Sequence, residues 1–341
     1  MVCLGFSIHR LERGVTQFKA YRLFDNGERP IGRVVTMQLE ELSPGDVVIR
    51  TAYSSVNYKD ALAARGVNKI IRKYPRIGGI DLFGTVVESR DPRFNAGDAV
   101  MVHGFGIGVD YDGGHAEYAR VSADWVMRLP QGLTLREAAA IGVAGYTAGL
   151  SIHLMELNGL NPRAGKVVMN GAAGGVASIA IDMLAGSGYS VTAITGRIDS
   201  ADYLSQLGAQ EVLQRSSLVM GKRSLESALW AGALDSLGGE SLGWLTRTMQ
   251  TDGIIAAFGN AAGQELSTNV LPFILRGVRL IGVNANSPMP LRKDVWARIS
   301  GPLKPRHLDT IAKEIRLDEL PDAFEQLLAR RTRGRFVVAM A

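Results

Sequence analysis

The sequence predicts an α/β protein in which a doubly wound parallel sheet is joined to a second, mostly β domain. Three observations predict it. From about Phe18 to Leu129 the text is strand-like, rich in β-branched and aromatic residues and broken by Gly, Pro and Asp. From Thr134 onward, short apolar strands alternate with helical stretches, the pattern of parallel strands covered on both faces. A glycine-rich turn, GAAGGVAS (171–178), joins the first of those strands to its helix.

The elements follow in order. VVIRTAYSSV (47–56), GTVVESR (84–90), DAVMVHG (98–104) and AEYARVSADWVMRL (116–129) read as strands, with a turn at 95–98. Thr134 is placed to N-cap a helix over 135–156, and Glu137 completes a capping box. Strands are then expected at 166–170, 190–194, 211–213, 233–237, 253–259 and 278–284, with helices at 176–185 and 200–208. A helix over 319–331 and a strand over 334–340 end the pattern, and that strand is free to return to the first domain.

A chain of 341 residues exceeds one ordinary core and suggests two domains. Apolar residues at 46% and charged residues at 21% are ordinary globular values. No stretch is expected to serve as a bilayer span, which needs roughly 18 apolar residues. Residues 1–17 lack the order of a signal peptide and read as an extension. The net charge of +5 is dispersed, without a basic tail, so anionic small molecules fit better than nucleic acid. The single cysteine, Cys3, excludes an internal disulfide and a thiolate-rich metal site, and it fits a reducing compartment, the cytoplasm.

In the glycine-rich turn each small residue has a task. Gly171 makes the tight turn, Gly174 lets the backbone approach a pyrophosphate, and Ala177 lets the helix pack close to the strand. The next strand ends about 20 residues past Ala177, the spacing of a dinucleotide fingerprint. That strand ends in Thr195-Gly196-Arg197, where an acid would hold the ribose hydroxyls of NAD. An arginine offers a fork of donors suited to a 2′-phosphate, so the expected cofactor is NADPH, with Arg215 as a second phosphate partner. There is no Walker lysine and no nucleophile elbow.

Taken together, these features resemble the medium-chain dehydrogenase/reductase superfamily. Within it they resemble the zinc-free quinone-oxidoreductase-like branch, in its NADPH-dependent acrylyl-CoA reductase group. The similarity rests on SSVNYKDALAARG (54–66), KIIRKYPRIGGID (69–81), DPRFNAGDAV (91–100), GGHAEYARV (113–121), GAAGGVAS, TGR and LPFILRGVRLIGV (271–283). It implies a GroES-like catalytic domain over 18–142 and 286–341, a Rossmann NADPH-binding domain over 143–285, and a homodimer. It also implies that Tyr58, Ala173, Gly174, Gly175, Val176, Thr195, Gly196, Arg197 and Arg215 lie at the cofactor. Ala177 and Gly78 stand where the family usually has Gly and Pro, and Gly259-Asn260-Ala261 replaces a more apolar stretch beside the nicotinamide.

The five histidines (9, 103, 115, 153, 307) show no ligand spacing, so a metal site is not expected. A zinc-free site needs a substrate that is already electrophilic, and an α,β-unsaturated thioester fits. Tyr58 is the candidate to donate a proton or position the ring, Asn57 to orient substrate or cofactor, and Asp60 to cap a helix. Lys69, Arg72, Lys73 and Arg76 either meet coenzyme A phosphates or form a solvated basic face. Two other readings stay open: NADPH:quinone reduction, and a non-catalytic NADPH-binding protein.

Overall fold

The computed structural model describes residues 17–340. Cys3, His9 and all but the last residue of the expected extension lie outside the described residues.

Six strands form the parallel sheet, in the spatial order Glu211–Gln214, Val191–Thr195, Val167–Asn170, Trp230–Asp235, Met249–Ala257, Arg279–Gly282. The central strands Val167–Asn170, Val191–Thr195 and Trp230–Asp235 are buried along their whole length, as strands covered on both faces must be. The strand order reverses beside Val167–Asn170, and the glycine-rich turn leaves the carboxyl end of that strand. In open α/β sheets this switch point is where ligands bind.

The second unit is built on a seven-stranded sheet. Its path runs Ala312–Ile315, Arg335–Ala339, Val47–Ser55, Asp81–Ser89, Ala99–His103, Met127–Arg128, with Tyr118–Val121 also paired to Val47–Ser55. The strand Arg335–Ala339 does return to this unit, antiparallel to Val47–Ser55. The stretch expected as one strand over 116–129 is divided. Ser122 caps a short 3-10 turn by accepting the Asp124 N–H, which ends the strand Tyr118–Val121 before Met127–Arg128 begins, and the two pair with different neighbours.

The helix Leu135–Leu157 joins the two units, packing on Val47–Ser55, Asp81–Ser89 and Met249–Ala257. Its capping box is formed: the Thr134 N–H donates to Glu137 Oε2 at 2.8 Å, and the Glu137 N–H donates to Thr134 Oγ1 at 3.1 Å. This helix is long and apolar enough to cross a bilayer, which corrects the sequence expectation. In the fold, 83% of its apolar window is buried, so its hydrophobicity is that of a core helix. It is interrupted at Gly142, whose φ of 52° and ψ of −160° are open in practice only to glycine.

Candidate active site

A cleft of 520 Å³ lies between the units. The β unit contributes Asn57 and Tyr58, the long helix Val143 and Thr147, the glycine-turn helix Gly175 and Val176. Phe258 follows the strand Met249–Ala257, and the segment around the final strand contributes Thr332, Gly334 and Arg335.

The cofactor side starts at Gly171, where φ is 60° and a Cβ would sit 2.3 Å from Ser236 Oγ. Gly174 then opens the helix Gly175–Gly186, and no side chain caps it. The first-turn N–H groups of such a helix are left for an anion. The Gly334 N–H donates to Ala173 O at 3.0 Å, which brings the final-strand segment against the turn. On that segment Thr332 Oγ1 and Arg335 Nε are buried without a hydrogen-bond partner. An uncapped helix start beside two buried, unpaired polar groups fits a dinucleotide pyrophosphate.

Thr195 Oγ1 accepts the Arg197 N–H at 3.1 Å. The Arg197 guanidinium is folded back on the final-strand segment, donating to Arg331 O at 2.8 Å, Thr332 O at 3.3 Å and Ser200 Oγ at 3.4 Å. Its fork is therefore shared with backbone carbonyls, which the sequence did not signal because the partners lie more than 130 positions away. Beside it, a side chain at Gly196 would meet nothing within 4 Å, so there is room for a phosphate. Gln214 pairs in register with Thr195, so the exposed Arg215 emerges at the same strand end.

Gly259 and Asn260 do not line the cleft, although Phe258 does. A Cβ at Gly259 would lie 2.5 Å from Ser236 O, so that glycine serves a close backbone approach.

On the catalytic side, Asn57 N-caps the helix Tyr58–Ala64, and its N–H donates to Asp60 Oδ2 at 2.9 Å. Asp60 thus caps its own helix from within, and its other oxygen accepts the Ile80 N–H. The Asn57 side chain donates to Asp81 Oδ2 at 3.3 Å. Asp81 is fully buried and also accepts the Ser55 N–H at 2.9 Å, the Ser55 hydroxyl at 2.5 Å and the Val143 N–H at 3.2 Å. Arg335 completes the group by donating to Ser55 Oγ and, at 3.0 Å, to Ile141 O. Burial, and then the charge of Asp81, push the Asp60 carboxyl up to about 7. Tyr58 stands at the cleft with 42% of its surface exposed.

Neither Asp81 nor the Thr332–Arg335 segment was found by sequence reasoning. Lys69, Arg72 and Lys73 are exposed and do not line the cleft. Arg76 turns inward to Asp112 (3.4 Å) and Ser43 Oγ (3.1 Å), because a buried acid lies opposite it, so it is not free to meet a phosphate. His103 and His115 are buried, and burial lowers both, His115 to about 4. Among the described residues, no three His, Cys, Asp or Glu side chains are grouped to hold a metal.

A doubly wound sheet and a β unit meeting over a cleft, with a phosphate turn on one side, define a two-domain nicotinamide-dependent oxidoreductase. Residues 43–131 match the alcohol dehydrogenase GroES-like domain. The chain belongs to the medium-chain dehydrogenase/reductase superfamily, in its quinone-oxidoreductase-like branch. It is 45% identical over 328 residues to YhfP of Bacillus subtilis, provisionally named a quinone oxidoreductase, covering 95% of this chain and 99% of that one. The crystal structure of YhfP with NAD bound matches with a TM-score of 0.93, covering 95% of this chain and 100% of its own. The acrylyl-CoA reductase AcuI of Ruegeria pomeroyi is 41% identical over 307 residues, 89% of this chain and 93% of that one. The yhdH oxidoreductase of Salmonella enterica, solved in complex with NADP, is 41% identical, covers 95% of this chain and 100% of its own, and gives a TM-score of 0.92.

Proposed function

We propose that the protein is an NADPH-dependent reductase of the carbon–carbon double bond of a short 2-enoyl-CoA thioester, similar to acrylyl-CoA, acting without a metal. The observation that carries this is one cleft holding both the start of the phosphate-turn helix and the Asn57-Tyr58 pair. The likeness to AcuI and to the NADP-bound yhdH oxidoreductase supports it.

NADPH held in the cleft would supply a hydride to the β carbon of the alkene. The chain's residues do the rest. Gly171, Ala173, Gly174, Gly175 and Val176, with Thr332 and Arg335, hold the pyrophosphate. Thr195, Gly196, Arg197 and Arg215 surround the 2′-phosphate, and Phe258 borders the nicotinamide, with Gly259 and Asn260 behind it. Asn57, fixed from behind by Asp81, orients the thioester oxygen, on which charge develops. The Tyr58 hydroxyl delivers the proton to the α carbon, and Val143 and Phe258 keep water from the reacting atoms. Lys69, Arg72 and Lys73 are the proposed coenzyme A phosphate contacts, and Arg76 is left out of that set.

The proposed domain division places the join at 142/143, beside the break at Gly142. A homodimer is supported by the edge strand Arg279–Gly282 and by the exposed Val270, Ile274 and Leu275 near it. The single cysteine suits the cytoplasm.

Quinone reduction is the second reading, favoured by the kinship with YhfP. Turnover of NADPH against acrylyl-CoA, crotonyl-CoA and a quinone separates them, with acrylyl-CoA expected to be fastest. Tyr58→Phe should lower kcat on the enoyl thioester by roughly 100-fold and leave NADPH affinity unchanged. Tight NADPH binding with no turnover of any acceptor would leave a non-catalytic binding protein.

A further inference from the structure

Arg292 is fully buried, and no carboxylate pairs with it among the described residues. Its donors go to neutral acceptors: Nε to Ser287 O at 2.8 Å, Nη1 to His103 O at 2.6 Å, and Nη2 to Ala285 O at 3.2 Å. The guanidinium carbon lies 4.2 Å from the centroid of the Phe105 ring. Carbonyls and an aromatic face solvate a cation but leave its charge uncancelled, and burying such a charge is costly. A neutral side chain would tie the same loop to the same strand without that cost.

The charge stands directly behind the cleft. His103, Gly104, Ala285 and Asn286 all line it. Gly104 has a φ of +76°, and a Cβ there would sit 3.0 Å from Arg292 Nη2 and 3.0 Å from Asn286 Oδ1. The guanidinium therefore lies against Gly104 in the cleft wall, where no side chain holds it off. The titratable groups in contact with Arg292 are His103 and Tyr146, while Lys59 and Asp110, one of each sign, also line the cleft. Arg292 Nη1 lies 2.7 Å from His103 Nδ1, and Trp296 Nε1 donates to His103 Nε2 at 2.9 Å. Burial and the charge of Arg292 hold the His103 pKa well below its ordinary value, so the ring stays neutral and adds no charge of its own. The Tyr146 ring lies 5.8 Å away, and its hydroxyl is tied to Ser287 Oγ.

We propose that Arg292 is a positioning residue for the reduction: its uncompensated charge, held behind Gly104, makes the cleft electropositive and stabilises the negative charge that develops on the substrate oxygen. This rests on the reductase reading above. Arg292 does not touch the substrate; its field acts through a wall from which water is excluded, where charge interactions are strong.

Arg292→Met and Arg292→Lys test it kinetically with crotonyl-CoA. Arg292→Met should lower kcat at least about tenfold, with the KM for crotonyl-CoA and the Kd for NADPH held within about threefold. A buried lysine sheds its proton as pH rises and an arginine does not. The kcat of Arg292→Lys relative to wild type should therefore fall between pH 6 and pH 9. A flat ratio, or a folded Arg292→Met at wild-type kcat, overturns the proposal. If Arg292→Met does not fold, the pH ratio of Arg292→Lys decides alone.

A substrate-independent readout separates this from failure of the reductase reading. In a Cys3→Ser background, Asn286→Cys places a thiol at the cleft beside Gly104. Its pKa, read from the pH dependence of alkylation, should be at least about one unit higher when Arg292→Lys is neutral at alkaline pH than when Arg292 is present. Equal thiol pKa values overturn the field, whereas a shifted thiol in a protein that reduces no enoyl thioester or quinone overturns only the reaction assigned to it.

Discussion

Asn57 lines the cleft, and its side chain is anchored to the carboxylate of Asp81, Nδ2 to Oδ2 at 3.3 Å. Asp81 is fully buried, and its two oxygens gather donors from Ser55, Asn57 and Val143. Asp81→Ala leaves those donors, and the buried cation of Arg335 behind them, without an anion. Removing one member of a buried charged group costs about 3–5 kcal/mol. Urea denaturation should show a loss of that order, and in the folded fraction kcat should fall more than KM rises.

Arg197→Asp should weaken NADPH binding far more than NADH binding. One charge-assisted hydrogen bond to the 2′-phosphate corresponds to roughly 10- to 150-fold in Kd. Fluorescence titration of both cofactors checks it. Equal losses would show that Arg197 works only as the tie to Arg331 and Thr332.

The carboxyl of Asp60 has a sign that can be measured. Its folded pKa, about 7, lies above the ordinary carboxyl value of 3.8. The folded state therefore holds the proton more tightly, and this contribution to stability is complete below about pH 4 and lost as pH rises to about 7. Wild type should lose more stability than Asp60→Asn between those limits, by on the order of a few kcal/mol. Parallel stability curves for the two proteins across that window would remove the shift.

The phosphate turn and Thr195-Gly196-Arg197 were legible because strand, turn, helix and second strand are contiguous, so one βαβ unit fixes their spacing. The Thr134 cap was legible for the same local reason. Asp81, Arg292 and Arg335 were not. Asp81 and Arg335 meet only because Asp81–Ser89 and Arg335–Ala339 flank Val47–Ser55, and Arg292 reaches His103 from 189 positions away. The basic run from Lys69 to Arg76 shows the converse limit. Charge density in the text gave no sign that Asp112 would be waiting for Arg76. A denser run, Arg330, Arg331, Arg333 and Arg335 just before and within the final strand, marks the segment that closes on the phosphate turn, but nothing local in the sequence ties it to that turn.

Ile274→Asp with Leu275→Asp should dissociate the proposed homodimer. Both side chains are more than 60% exposed on the helix Leu271–Arg276, at 68% and 63%, so the change carries little folding cost in the monomer. Light scattering after size exclusion reads the mass directly. A wild-type protein already monomeric would refute the assembly.

The break at Gly142 determines how the two halves are mounted on each other. A Cβ there would fall 2.5 Å from Arg335 Nη2, 2.8 Å from Ser55 Oγ and 2.9 Å from Asp81 Oδ2. The helix crosses from one half to the other at this point, and the amide freed just past the break is the one that reaches Asp81. A single absent methyl group thus lets the backbone pass within bonding range of the anion that orients Asn57. The joint between the halves is a weld made at the reacting end of the cleft, so a strain that opens one half against the other is felt first by the group that holds the substrate.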